Sequence, residues 1–285
     1  MENVLWQLSN DFEVIICLLN LLEDAILTNL KGKLAIVTGA SRSTGIGAAV
    51  CLAFAEAGAD IFFTHWSQFD EKEGNGAERD FPDILSERIS KLGVRCHHLE
   101  IDLSKPEAPI ELLNEVENKI GPPSILVNNA TFGAPSNFRN LNEEILNKHY
   151  QVNNSGTILL SIEFAKRFEK VFLSKKGGRI INLVSGGPDP NNLAYIATKG
   201  AIIAITEPLS VGLGPIGITV NSVNPGPTDT GWMNEELKSH FINLFPMGRL
   251  GVPEDAAKLI KFLASDDSEW ITGQIINSDG GFLGK

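Results

Sequence analysis

The chain reads as an α/β protein: a doubly wound, mainly parallel sheet of seven strands with helices on both faces. Three observations predict this. From Lys33 onward, short apolar runs alternate with longer amphipathic stretches. Most of the runs are rich in Val, Ile, Leu or Phe, as in strands buried on both faces of a parallel sheet. Strand and helix patterns take turns throughout, which implies right-handed crossovers between parallel strands.

The elements follow in order. A first strand, Leu34–Thr38, runs into a glycine-rich turn, and an Ala-rich helix over Ile46–Gly58 ends in a glycine. The second strand is Asp60–Thr64. Trp66–Pro82 is polar, acidic and glycine-bearing, long for a strand-to-helix connection, and reads as a mobile surface loop. A helix over Asp83–Leu92 stops at Gly93, and Val94–Ile101 is the third strand. The helix Pro106–Ile120 opens with a proline and closes at Gly121-Pro122. Ile125–Asn128 is the fourth strand, and one long helix is expected over Asn142–Leu173 with Asn142 as its N-cap. Arg179–Val184, Thr219–Val223 and Gln274–Ser278 complete the strands, with helices over Leu193–Leu213 and Glu254–Ala264. Pro208 lies inside the first of these two helices. It removes an N–H bond to Ala204 and costs about 3 kcal/mol in a regular helix, so a kink or early break is expected near Glu207.

No internal repeat, low-complexity tract or composition break divides the chain after Lys33, so residues 31–285 read as one domain. Residues 1–30 read as an N-terminal appendage with the pattern of one amphipathic helix. Its apolar run, Val14–Leu22, is too short to span a bilayer, and no basic residue precedes Lys31. Packing on the domain, packing on a partner subunit, and an upstream stretch brought in by the choice of start codon all fit it. The 285 residues carry a formal net charge of -11, which disfavours nucleic acid and anionic membrane surfaces as partners. Cys17, Cys51 and Cys96 are far apart and show no CxxC spacing. They read as free thiols in a reducing cytoplasm, not as a disulfide framework or a zinc site. His65, His97, His98, His149 and His240 show no metal-ligand spacing, so no metal is expected.

Chemistry concentrates in a few segments. The turn Thr38-Gly39-Ala40-Ser41-Arg42-Ser43-Thr44-Gly45-Ile46-Gly47 lies between a first buried strand and a helix. There, glycines let a pyrophosphate approach the backbone, and the helix N-terminus offers free N–H groups. Tyr195 and Lys199 stand four apart on a helix, hence on one face. A neighbouring ammonium favours phenolate, which is expected to bring the tyrosine pKa down from about 10 toward the working pH. Ser185 ends the fifth strand, Asn128-Asn129-Ala130 ends the fourth, and Asn224-Pro225-Gly226-Pro227-Thr228-Asp229-Thr230 follows the sixth.

With these motifs, from about Leu30 to Phe282, the chain resembles the short-chain dehydrogenase/reductases, and most of all their 3-oxoacyl-carrier-protein reductase-like branch. The resemblance implies a Rossmann-type fold and a nicotinamide cofactor. It implies that Tyr195 exchanges the proton, Lys199 tunes it and binds the nicotinamide ribose, Ser185 holds the substrate oxygen, and Asn153 holds a relay water. It places the cofactor on Gly39, Ser41, Arg42, Gly45, Ile46, Gly47, Asp102, Leu103, Asn129, Ala130, Pro225, Gly226, Thr228 and Thr230, besides Tyr195 and Lys199. The loop 66–82 would lie near the adenosine end.

The chain departs from the family pattern at three places. The TGxxxGxG signature is widened to five residues between Gly39 and Gly45, Thr131 replaces the glycine of NNAG, and the connection from Ser185 to Tyr195 is short. No acid ends the second strand at Phe63-Thr64-His65-Trp66, and Arg42 stands where the family often puts a base near a 2′-phosphate. NADP(H) is therefore favoured over NAD(H), with Asp70 able to reverse this if its loop folds back. Gly231–Phe245 would be the substrate lid, its Trp232, Met233, Phe241 and Phe245 either lining an apolar substrate or packing. The expected activity is reversible reduction of a small-molecule carbonyl, including an acyl-carrier-linked one, by a cytoplasmic homotetramer or homodimer. The alternatives are an NAD-linked alcohol, sugar or steroid dehydrogenase, and a non-catalytic dinucleotide-binding sensor or scaffold.

Overall fold

A computed structural model describes residues 29–72, 76–173 and 177–284; all but the last two residues of the expected appendage lie outside it. Seven strands form one sheet: β1 Leu34–Val37, β2 Asp60–His65, β3 Cys96–Glu100, β4 Ile125–Asn128, β5 Gly178–Leu183, β6 Ile218–Asn224 and β7 Ile275–Asn277. Their order is β3-β2-β1-β4-β5-β6-β7. All six pairings are parallel, with Ile36 opposite both Phe62 and Leu126, and Leu126 opposite Ile180. Strand order reverses between β1 and β4, so a crevice opens there at the carboxyl ends of the strands, the place where open α/β sheets take ligands.

The nine α-helices among the described residues are α1 Ile46–Glu56, α2 Ser67–Lys72, α3 Phe81–Ser90, α4 Ala108–Lys119, α5 Glu143–Tyr150, α6 Thr157–Phe172, α7 Leu193–Leu213, α8 Glu235–Ile242 and α9 Pro253–Ala264. Ala48, Cys51 and Phe54 of α1, Leu85 and Ile89 of α3, and Ile260 and Leu263 of α9 cover one face of the sheet, over Val37, Phe63 and Val127. Leu112 and Val116 of α4 and Leu160, Phe164 and Phe168 of α6 cover the other, over Ile36, Leu126 and Ile180. Both faces of β1, β4 and β5 are therefore dry, which is why these strands read as apolar runs.

Three expectations need correction. The stretch 142–173 is not one helix: α5 and α6 are joined by a π-helical turn over Gln151–Gly156. The wider turn brings Asn153 and Asn154 inward together, and both are buried. A side chain at Gly156 would lie 2.5 Å from the Leu103 carbonyl, so the bend needs glycine there. Next, α7 does not break near Glu207 and runs through Pro208 to Leu213. Pro208 and Ala204 are both exposed, so water can take the carbonyl that the proline leaves unpaired. The hydroxyls of Thr206 and Ser210 also bond back to the Ile202 and Glu207 carbonyls, at 2.7 and 2.8 Å. By length and composition α7 is apolar enough to cross a bilayer, yet its Lys199 and Thr206 are buried against β5 and β6. Finally, the supposed loop after β2 contains α2, which folds back toward the glycine turn.

Candidate active site

The glycine turn is shaped by what it touches. Gly39 has a φ of +75°, and a Cβ there would lie 2.7 Å from the Ala130 Cα. At Gly47 a Cβ would lie 2.6 Å from the Gly39 carbonyl oxygen and 2.8 Å from the Asn129 Nδ2. The Asn129-Ala130 segment explains this crowding. Thr38 Oγ1 accepts from the N–H groups of Asn129 and Ala130, both at 3.0 Å. The Asn129 amide donates to the carbonyls of Thr38 and Gly39 at 2.8 and 2.9 Å. The ends of β1 and β4 are thus laced together, and the turn is held open. Gly45 caps α1 with no side-chain hydrogen bond, so the helix presents its first N–H groups.

The two additional residues of the turn give it neighbours that a shorter loop would lack. Ser43 donates from its N–H and its hydroxyl to the Glu78 carboxylate at 3.1 Å. Thr44 Oγ1 donates across the crevice to the Thr230 carbonyl at 3.0 Å. Arg42 lies beside Asp70 of α2, Nε to Oδ1 3.7 Å. Burial pushes the Asp70 carboxyl up, and the Arg42 charge and a bond from Ser41 pull it partly back. The acid that the β2 strand end lacks is therefore returned to the turn by α2. Neither Glu78 nor Thr44 stood out in the sequence, because both act through contacts between distant segments.

Asp102 and Leu103 lie just after β3. Asp102 Oδ1 accepts from the Ser104 N–H at 2.9 Å, an ordinary turn bond, and Leu103 is buried against the Gly156 bend. After β6, Gly226 has a φ of +62°, and a Cβ there would lie 2.6 Å from that of Asp279. Thr228 is buried, with its hydroxyl bonded to the Gly226 carbonyl at 3.2 Å, and its own carbonyl accepts from Trp232 Nε1 at 2.9 Å. In the expected lid segment, Phe241 meets Phe282 edge-on and Phe245 meets it at a tilt, with centroids 5.7 and 5.0 Å away, and Met233 and Phe245 are buried. These three side chains pack the lid itself; Trp232 is 46% exposed and remains open to a ligand.

Tyr195 and Lys199 share one face at the start of α7. The Lys199 ammonium stands 5.6 Å from the Tyr195 ring centroid and donates to the Leu183 carbonyl at the end of β5, 2.8 Å away. Burial pulls its pKa down to about 8. Tyr195 keeps part of its surface open. Burial nonetheless pushes its phenol above the ordinary value, and a hydrogen bond with Thr131 pulls the other way. The expected lowering by Lys199 is therefore absent: desolvation governs, and Lys199 is itself desolvated. Ser185 follows β5 by two residues and is half-buried. The short connection beyond it is pinned, since Ser136 donates its N–H to the Asn191 carbonyl at 2.7 Å and its hydroxyl oxygen caps Ala194 at 2.9 Å.

Asn153 is fully engaged by protein. Its Oδ1 accepts from Thr131 Oγ1 at 3.0 Å and the Phe132 N–H at 2.7 Å. Its Nδ2 donates to the Phe132 carbonyl at 2.9 Å and Thr198 Oγ1 at 3.0 Å. The side chain thus joins the segment 131–132 to α7, which leaves a relay water to the main-chain carbonyl of Asn153. His149 supports the chain just after that segment, accepting from the Ala134 N–H at 3.1 Å and bonding the Ile145 carbonyl through Nδ1. Among the described residues, no three His, Cys, Asp or Glu side chains gather as metal ligands would.

This geometry has counterparts. The family model described as enoyl-(acyl carrier protein) reductase matches residues 39–283. The uncharacterized oxidoreductase YjdA of Bacillus subtilis is 47% identical over 260 residues, covering 90% of this chain and 99% of that protein. The chain belongs to the short-chain dehydrogenase/reductase family. The 3-oxoacyl-[acyl-carrier-protein] reductase FabG of Aquifex aeolicus is 32% identical, with 89% of this chain and 98% of that one covered. Among solved structures, the short-chain dehydrogenase/reductase of Serratia marcescens matches with a TM-score of 0.78 at 30% identity, covering 89% of this chain and 99% of that one. As a short-chain dehydrogenase/reductase the chain is an oxidoreductase that uses NAD or NADP, and the crevice between β1 and β4 fits a dinucleotide. Gly39 and Gly47 leave a cradle that any side chain would fill, beside an uncapped helix start.

Proposed function

We propose that this short-chain dehydrogenase/reductase reduces a carbonyl to a secondary alcohol, reversibly, with a 3-oxoacyl-carrier-protein reductase-like substrate and NADP(H) in preference to NAD(H). The observation that carries the reading is the pairing of Tyr195 and Lys199 at the start of α7, with the Lys199 ammonium 5.6 Å from the Tyr195 ring centroid and 2.8 Å from the carbonyl that ends β5.

Gly39, Ser41, Gly45, Ile46 and Gly47 would hold the pyrophosphate, Asp102 and Leu103 the adenine, and Asn129 and Ala130 the underside. Pro225, Gly226, Thr228 and Thr230 would hold the nicotinamide amide. When bound, the reduced nicotinamide supplies a hydride to the carbonyl carbon. The chain's own residues then handle the oxygen and its proton. Ser185 donates a hydrogen bond to the oxygen as it gains negative charge. Tyr195 transfers its phenolic proton to that oxygen, giving the alcohol and a phenolate. The Lys199 ammonium, its pKa pulled by burial to about 8, stabilises the phenolate by its charge, and a proton taken from solvent then restores the phenol. Alcohol oxidation runs these transfers backward.

The presence of Arg42 in the glycine turn and the absence of a carboxylate at the end of β2 support NADP(H). One observation favours NAD(H) instead: Asp70 beside Arg42 opposes a 2′-phosphate and offers an acceptor to ribose hydroxyls. The natural oligomer is a homotetramer or homodimer. The test is a panel of aliphatic, acyl-thioester, sugar and steroid carbonyls with NADPH and with NADH, following nicotinamide absorbance. Faster consumption of NADPH supports the reading, and faster consumption of NADH selects the second. Binding of both cofactors with no consumption on any carbonyl overturns the catalytic assignment.

A further inference from the structure

We propose that the hydrogen bond from the Thr44 hydroxyl to the Thr230 carbonyl is a clasp over the bound dinucleotide, which must open each time cofactor enters or leaves. Thr44 thereby sets the rate of cofactor exchange without holding the cofactor itself. The proposal rests on the proposed path of the cofactor, from the glycine turn to the loop after β6. It rests on neither the preference for NADP(H) nor the substrate.

The bond joins two walls that the topology keeps apart. Thr44 belongs to the turn after β1, in its widened part, and Thr230 to the loop after β6. In the sheet, β4 and β5 lie between those two strands. The ends of β1 and β6 are therefore three strand spacings apart, about 14 Å. Thr44 Oγ1 closes that gap by donating to the Thr230 carbonyl at 3.0 Å. It does so beyond the carboxyl ends of β4 and β5, which lead into Ala130 and Ser185. A dinucleotide lying from the glycine turn to the loop after β6 passes between this bond and the strand ends.

Each wall is anchored on its own side. In the turn, the Ser43 N–H and hydroxyl donate to the Glu78 carboxylate at 3.1 Å, and the Gly45 N–H donates to the Arg42 carbonyl at 3.1 Å. In the loop, the Asp229 N–H donates to the Gly251 carbonyl at 2.9 Å. The Asp229 carboxylate accepts from the Gly231 N–H at 3.2 Å and from the Lys238 ammonium at 2.9 Å. Gly231 brings the loop close against Thr44: its φ is +88°, and a Cβ there would lie 3.3 Å from Thr44 Oγ1. Both walls thus keep their shape when the bond between them breaks. Thr44 is exposed, so water takes over the freed hydroxyl and carbonyl, and opening exchanges one hydrogen bond for water. The clasp is made of protein atoms alone, so opening it costs the same with or without a cofactor beneath it. Losing it should speed entry and release equally and leave the affinity where it was.

Stopped-flow binding of NADPH and of NADH to the wild type, Thr44→Val and Thr44→Ser tests this. Nicotinamide fluorescence reports association, and chase with excess unlabelled cofactor against a fluorescent analogue reports release. Valine keeps the shape and removes the bond. It is expected to raise the association and dissociation rate constants together, by about five-fold each, the worth of one hydrogen bond, with the equilibrium constant unmoved. Serine is expected to restore the wild-type rates. Unmoved rates for valine, a change confined to one of the two rate constants, or serine behaving like valine overturns the proposal. Binding of neither cofactor by the wild type would overturn the path of the cofactor, and the clasp with it. An absence of turnover would overturn the proposed activity alone, because the binding rates read the clasp without any reaction.

Discussion

Lys199, to which the proposed mechanism gives the proton relay, is a buried cation whose desolvation costs the fold. It is 4% exposed, and burial alone pulls its pKa from 10.5 to about 8. Below about 8 both folded and unfolded chains hold the proton, and the folded one bears the whole cost of a buried charge. Between about 8 and 10.5 the folded chain releases the proton first, so the unfolded chain binds more protons and stability rises with pH. Lys199→Met is thus expected to abolish turnover while stabilising the protein at neutral pH by on the order of 1–3 kcal/mol. Urea unfolding at a series of pH values should show that advantage shrinking from 8 to 10.5. The YxxxK pair was legible in the sequence as a shared helix face. That burial would dominate both pKa values was not, because desolvation depends on what other elements bring over the site. Asn153 illustrates the same limit: its position was readable, but its four protein partners come from the segment 131–132 and α7.

At the scale of elements, the sequence pattern located β1, β2, β4, β5 and β6 well because they are dry on both sides, whereas β3 and β7 are partly exposed. It failed where a local rule was met by a compensation. Pro208 signals a break, yet it sits on the exposed side of α7, where the freed carbonyl meets water. Pro208→Ala should therefore raise stability, by up to about 3 kcal/mol, with kcat unchanged, since Tyr195 and Lys199 lie more than two turns away. Thermal unfolding beside a turnover assay checks both parts, and a loss of stability would show that the proline fits a bend the helix needs. The π turn was illegible for the opposite reason. Asn142–Leu173 has an unbroken helical pattern, and only the burial of Asn153 and Asn154 against distant partners forces the wider turn. In the same way α2 was hidden in a polar, acidic stretch whose role depends on meeting Arg42.

For the whole molecule, the sheet leaves β7 as an edge strand, and Trp270 just before it is 94% exposed. Leu146 and Tyr150 of α5 and Leu159 of α6 also face outward, at 40%, 52% and 47% exposure. An unpaired edge and outward apolar helices are surfaces that a further copy of the chain would cover. Sedimentation velocity is expected to show a dimer or tetramer, and Trp270→Glu a smaller species. A wild-type monomer at micromolar concentration would contradict this. The sheet and its reversal between β1 and β4 were readable from strand–helix alternation. The lid was only half so, because Phe241 and Phe245 could line a substrate or pack until Phe282 was seen between them.

Whether the Tyr195 phenol hands its proton to a carbonyl beside a dinucleotide is best measured with one substitution and two readouts. Tyr195→Phe should bind NADPH with the wild-type dissociation constant, by fluorescence titration, and show no nicotinamide consumption on any carbonyl that the wild type reduces. Turnover by the phenylalanine variant at a comparable rate would contradict the account.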